Sequence, residues 1–223
     1  SAIDSKRVVR TKSYQREITQ HVLCPFFSEY QHEVLRVKRQ DDDWTKLPKP
    51  VAPTIPDSLP GHWKTVAESY ARLFTVFQSI RGSIVTGDTG VSSLFAFPPY
   101  NCVDITTYMG GSIPLAIGAY LAGYSDVWAV TGDFSFIAAG HLGLPEAVQR
   151  KIPLKIVLLY NGKSETTGGQ PIPEGTLERI VRGYGDSVRC ITDPRDPQEI
   201  ERVLREAATA NELRIVIADY RER

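Results

Sequence analysis

Two short apolar runs, at residues 127–130 and 154–159, each stop at a polar turn and stand on either side of a stretch of helical length. The first stops at Thr131-Gly132-Asp133, helical periodicity follows over 137–150, and the second stops at Tyr160-Asn161-Gly162. The pattern predicts strand, helix, strand. Such a crossover is right-handed and joins parallel strands, so both strand ends reach one edge of the sheet. Asp133 and Asn161, twenty-eight positions apart, are therefore expected side by side in the crevice beyond the strand ends.

The chain around this unit alternates in the same way. Residues 62–80 place Val66, Tyr70, Leu73, Phe74 and Phe77 on one helical face, and Arg81-Gly82 ends the run. A strand at 83–86 leads to Gly87-Asp88-Thr89-Gly90, and a helix at 113–123 accommodates Pro114 in its first turn. A helix at 174–182, a strand at 187–191, a helix at 197–210 and a strand at 214–219 complete the series. The expected fold is α/β, a doubly wound parallel sheet flanked by helices, with an extended N-terminal arm. Residues 1–47 are expected to form that arm or the remnant of a preceding domain. Residues 48–60, which hold five prolines, read as an extended linker, and 61–223 as the sheet domain.

Composition limits the function classes. Twenty-six basic residues balance twenty-six acidic ones, so no global field favours nucleic acid or an anionic membrane. The longest apolar stretch, near 113–122, is interrupted by Pro114 and Gly118 and is too short to span a bilayer. No apolar core follows the charged start, so a cytoplasmic protein is expected. Three scattered cysteines, with no CxxC pair, suggest neither zinc nor a disulfide framework, and they cannot supply the four thiolates of an iron–sulfur cluster. The dinucleotide fingerprint GxGxxG, the Walker GxxxxGK[ST] and the GxSxG nucleophile elbow are all absent.

Taken singly, Asp133 could merely cap a helix and Asn161-Gly162 could be an ordinary turn. Together at this spacing they suit the anchoring of a diphosphate through a divalent metal. Mg2+ takes a few hard protein oxygens plus phosphate oxygens, so one carboxylate, one amide and one main-chain carbonyl suffice. Gly132 permits the sharp turn at the strand end, and Thr167-Gly168-Gly169 offers a turn whose amides can reach an anion. Ser135, two positions after Asp133, is a candidate contact to the same diphosphate.

These residues resemble the diphosphate-binding domain of thiamine-diphosphate-dependent enzymes, in which a Gly-Asp pair opens the cofactor motif and an Asn about thirty residues on closes it. The stretch from Met109-Gly110-Gly111-Ser112-Ile113-Pro114 to Ala119 is similar to that family's MGxxxPxAIGA. Gly87-Asp88-Thr89-Gly90, Pro98-Pro99 and Met109-Gly110-Gly111-Ser112-Ile113 follow the order seen in the alpha subunit of indolepyruvate ferredoxin oxidoreductases. Sulfopyruvate and phosphonopyruvate decarboxylases are also similar around Asn161-Gly162 and Thr167-Gly168-Gly169-Gln170. The resemblance covers about 59–223. It implies thiamine diphosphate and Mg2+ as cofactors, with Asp133, Asn161 and the Lys163 carbonyl as metal ligands. Gly87, Asp88, Thr89, Gly110, Gly132, Phe134, Ser135, Thr166, Thr167 and Gly168 would line the cofactor. Met109 would be the apolar wedge under the bent cofactor, and the Thr107 carbonyl would lie near its aminopyrimidine.

Departures accompany the match. Phe134 replaces a small residue, Ala138 stands where the oxidoreductases have His, and residue 91 is Val rather than Cys. Their CPGCPH motif survives only as Pro60-Gly61-His62, which makes His62 a candidate catalytic residue. The resemblance implies the cofactor-anchoring half of an enzyme that decarboxylates a 2-oxo acid and passes electrons to ferredoxin or another carrier. A non-oxidative decarboxylase or carboligase subunit is the alternative, and a catalytically silent binding or assembly subunit is a reading of another class. In that family a glutamate from a pyrimidine-binding domain activates the cofactor, and here a separate chain is expected to supply it.

Overall fold

In the computed structural model the chain divides into two units, Ser1–Thr54 and Ile55–Arg223. The structure describes residues 61–221, and the expected arm and linker lie outside them. The described part runs α1 (Gly61–Phe77), β1 (Ile84–Asp88), α2 (Val91–Leu94), β2 (Ile105–Thr107), α3 (Ser112–Leu121), β3 (Val127–Gly132) and α4 (Asp133–Ala138). A 3-10 turn (Gly140–Gly143), α5 (Leu144–Gln149), β4 (Lys155–Tyr160), α6 (Thr176–Val181), a second 3-10 turn (Arg182–Ser187), β5 (Val188–Ile191), α7 (Pro197–Thr209) and β6 (Arg214–Asp219) follow. The six strands form one sheet, ordered β2-β1-β3-β4-β6-β5, and every pairing is parallel. The doubly wound α/β fold expected from the alternating pattern is the fold observed.

Strand residues alternate between two cores. Val85, Trp128, Val130, Val157, Leu159, Val216 and Ala218 face α1 and α7, whereas Val127, Ala129, Ile156, Leu158, Ile215 and Ile217 face α3 to α6. Burial on both faces explains why β3 and β4 read as continuous apolar runs rather than alternating ones. Helix α1 seals its side with Leu73, Phe74 and Phe77, all fully buried. The Phe74 ring stacks on Phe95 at 3.6 Å, and Phe77 meets Trp128 edge-on at 5.1 Å. Helix α7 opens on Asp196, which accepts the Gln198 amide at 2.9 Å, with Pro197 in its first turn.

Two local expectations are corrected. The single helix expected over 137–150 is α4, a 3-10 turn and α5. Its break falls at Ala139, whose φ of −153° and ψ of −32° leave the helical region. The break lets the Met109-Gly110 turn approach closely: a Cβ added at Gly110 would sit 2.7 Å from that of Ala139. Helix α5 then restarts with Pro145 in its first turn. The short strand β2 was not foreseen. It pairs with β1 from Thr86↔Ile105 to Asp88↔Thr107, and Asp104 locks its entry by accepting the Val85 amide at 2.7 Å. No helix among the described residues is long and apolar enough to cross a membrane.

Candidate functional site

The carboxyl ends of β1, β3 and β4 open into one cavity. It is lined by Asp88, Thr89, Met109, Gly132, Asp133, Phe134, Ser135, Asn161, Lys163 and Thr166 among the residues singled out in the sequence. Strand pairing brings Gly132 opposite Leu159, so the turn after β4 falls beside that after β3. One Asp133 oxygen accepts the Asn161 and Gly162 amides at 3.0 and 2.7 Å, and the other accepts the Phe134 amide at 2.7 Å. Asp133 is 2% exposed. Burial pushes its carboxyl up from 3.8 to about 6, against the downward pull of those amides.

Asn161 is fixed by its surroundings. Its Nδ2 donates to the Tyr70 hydroxyl and to Glu165 Oε2, each at 2.9 Å, while its Oδ1 accepts the Lys163 amide at 3.1 Å. Gly162, at φ +77°, makes the turn that carries the chain away from β4. The following loop folds back on itself: Ile172 donates its amide to the Gly162 carbonyl at 2.8 Å, and Ser164 donates to that of Gln170 at 2.8 Å. Thr166 reaches the β1–α2 turn, where its hydroxyl oxygen stands 3.4 Å from the Cβ position of Gly90. Thr167 and Gly168 are exposed and do not line the cavity.

On the β1 side the polar groups serve the fold as well as the cavity. Asp88, 1% exposed, accepts the Ser112 amide at 2.8 Å and the Thr131 hydroxyl at 2.5 Å, tying β1 to the start of α3 and to β3. The Thr107 carbonyl accepts the Thr89 amide at 2.6 Å and the Thr89 hydroxyl at 2.5 Å. Both its lone pairs are thus engaged within the chain. Met109 is half-buried at the cavity wall, whereas Gly87, Thr107 and Gly110 stand behind it. His62 falls in the first turn of α1, and its side chain lies outside the described residues.

Tyr70, Glu165, Ser92 and Ser164 also line the cavity without having been singled out for it. Tyr70 reads in the sequence as one of the apolar residues of a helix face. Nothing in the spacing links it to a turn ninety-one positions later.

Comparison with known proteins places the sequence in one family. Residues 88–218 match the family described as thiamine pyrophosphate enzyme, C-terminal TPP binding domain. Indolepyruvate oxidoreductase subunit IorA of Methanothermobacter thermautotrophicus is 29% identical over 60% of this chain and 24% of its own length. The IorA subunit of Archaeoglobus fulgidus is 29% identical over 67% of this chain and 26% of its own. This chain therefore spans about a quarter of the length of these curated relatives. Among solved structures, a 2-oxoglutarate:ferredoxin oxidoreductase from Magnetococcus marinus shares the fold, with a TM-score of 0.54 at 16% identity, covering 74% of this chain and 64% of that one. More than half of the sequence lies within the family match, and the chain belongs to the thiamine pyrophosphate enzymes through their C-terminal TPP binding domain.

Proposed function

We propose that this domain holds the diphosphate of thiamine diphosphate through Mg2+ and serves as the cofactor-anchoring half of a 2-oxo acid oxidoreductase. The observation that carries this reading is the buried Asp133 carboxylate, clamped to the Asn161-Gly162 turn at the mouth of three parallel strands. The residues present fit both cofactors. Asp133 and Asn161 Oδ1 are hard oxygen donors, and the Lys163 carbonyl is the third candidate ligand. Among the described residues no three His, Cys, Asp or Glu side chains cluster around a cation. A cation here therefore draws on amide, carbonyl and phosphate oxygens besides Asp133. The cavity wall carries the carboxylates Asp88, Asp133 and Glu165 against one ammonium, Lys163. A diphosphate is repelled from such a wall unless a divalent cation accompanies it. The Ser135 and Thr166 hydroxyls are available to its outer oxygens, whereas that of Thr89 is held by the Thr107 carbonyl.

When bound, thiamine diphosphate supplies an electron sink for the carbanion left by decarboxylation. The chain's own part is positioning. Asp133 and Asn161 hold the metal end, and Met109 presents an apolar side chain beside it. The names of the relatives support a 2-oxo acid as substrate, a ferredoxin-type carrier as electron acceptor, and assembly with other subunits. We assign the activating glutamate to a pyrimidine-binding domain on a partner chain.

Calorimetric titration with thiamine diphosphate, with and without Mg2+, tests the reading. Binding is expected only with the metal, and Asp133→Ala is expected to abolish it while leaving the circular dichroism unchanged. Undiminished, Mg2+-dependent affinity in Asp133→Ala would overturn the assignment.

A further inference from the structure

We infer that Tyr70 and Glu165 are positioning residues that set the orientation of the Asn161 side chain toward the metal, an inference that rests on Asn161 being a ligand as proposed above. An amide nitrogen carries two hydrogens. On Asn161 both are used, one by the Tyr70 hydroxyl and one by Glu165 Oε2, each at 2.9 Å. The opposite atom, Oδ1, accepts only the Lys163 amide, at 3.1 Å, and keeps a lone pair for a cation. The two partners have different tasks. A hydroxyl can donate or accept, so Tyr70 alone would tolerate a flipped amide. The Glu165 carboxylate can only accept, so a flip would set oxygen against oxygen. Glu165 therefore fixes the sense of the amide and Tyr70 fixes its place.

Both groups are themselves held. Tyr70 is 4% exposed, and its ring meets that of Tyr220 at 4.4 Å. Its hydroxyl cannot leave Asn161 for water without displacing α1 from the core. Lys163 Nζ braces Glu165 at 3.2 Å. Tyr70 and Tyr220 lie outside the 88–218 family match, one before it and one after it. The helix preceding the matched domain thus reaches into the cofactor cavity, and the strand-end tail secures the residue that does so.

The test uses the full chain, with thiamine diphosphate affinity and the Mg2+ concentration for half-maximal binding as readouts. Tyr70→Phe and Glu165→Ala are each expected to raise the Mg2+ requirement about tenfold, the low end of the effect usual for groups that orient a metal ligand. Cofactor stoichiometry stays unchanged. In an Asn161→Ala background neither substitution is expected to add to the loss, because the group they orient is gone. Glu165 is partly exposed, so its variant keeps the test decisive if Tyr70→Phe does not fold. An unchanged Mg2+ requirement in both single variants, or equal losses with and without Asn161, refutes the positioning role while leaving the metal site standing. Absence of Mg2+-dependent binding in the unsubstituted chain overturns the proposed function and this inference together.

Discussion

At Asp133 the fold and the proposed chemistry act on one carboxyl in opposite directions. Its folded value of about 6 lies above the 3.8 of an exposed aspartate because burial penalises the charge. A raised carboxyl favours the folded state fully below pH 3.8, and that contribution is lost as pH rises to about 6. The loss amounts to roughly 3 kcal/mol if the whole difference is expressed. Urea midpoints in chelator-containing buffer check this: the advantage of the unsubstituted chain over Asp133→Ala is expected to shrink between pH 4 and 6. A gap that stays constant over that range would show that Asp133 ionises as an exposed carboxylate does. Excess Mg2+ with thiamine diphosphate is expected to restore the stability of the unsubstituted chain at pH 7 and not that of the variant. Asp133 was legible in the sequence because a turn that ends one apolar run and faces another has few places to go. Tyr70 and Glu165 were not, because their partnership with Asn161 depends on side-chain directions that no periodicity records.

Between elements, one tight approach is the one that divides the predicted helix. Gly110 sits at φ +82°, where a Cβ would stand 2.7 Å from the Ala139 Cβ and 2.9 Å from the Gly140 nitrogen. Gly110→Ala is expected to cost about 1–3 kcal/mol from backbone strain, with the contact adding to it. Thermal unfolding measures this, and a loss below about 0.5 kcal/mol would show that the turn relaxes freely. The β5–α7 connection offers a milder case. Glu199 accepts the Thr192 amide and hydroxyl, each at 3.0 Å, and the Asp193 amide at 2.8 Å. Partial burial pushes Glu199 up, but those donors outweigh it and leave the carboxyl below its usual value. Its contribution is present above the unfolded value and lost as pH falls through the lower folded one. Glu199→Gln is therefore expected to destabilise the chain at pH 7 and to matter less near pH 3, as urea midpoints at the two pH values would show. The order of strands and long helices was legible because burial on both faces gives parallel strands their apolar runs. The strand β2 was not, because three residues with two exposed give no period, and its place is fixed by Asp104 and by pairing with β1.

For the whole molecule, α1 belongs to the core although it precedes the family match. Leu73, Phe74 and Phe77 are fully buried against β1, β3 and α2. Losing a buried Leu usually costs about 2–5 kcal/mol and a buried Phe about 3–5 kcal/mol, so losing all three is comparable to the roughly 5–15 kcal/mol that holds a domain together. A fragment starting at residue 84 is expected to unfold without a cooperative transition. A sharp transition in that fragment would show that the sheet stands without its first helix. The parallel sheet also governs how the chain reaches its native state. Ile84 pairs with Val127 across forty-three positions, and Lys155 with Arg214 across fifty-nine, so no strand pair can form as a local hairpin. Such long closures lose chain entropy before any contact offsets it, and they slow refolding relative to helical domains of similar stability. The crevice requires the ends of β1, β3 and β4 at once, so the ability to bind cofactor returns only with the last of these closures, after helix content has recovered.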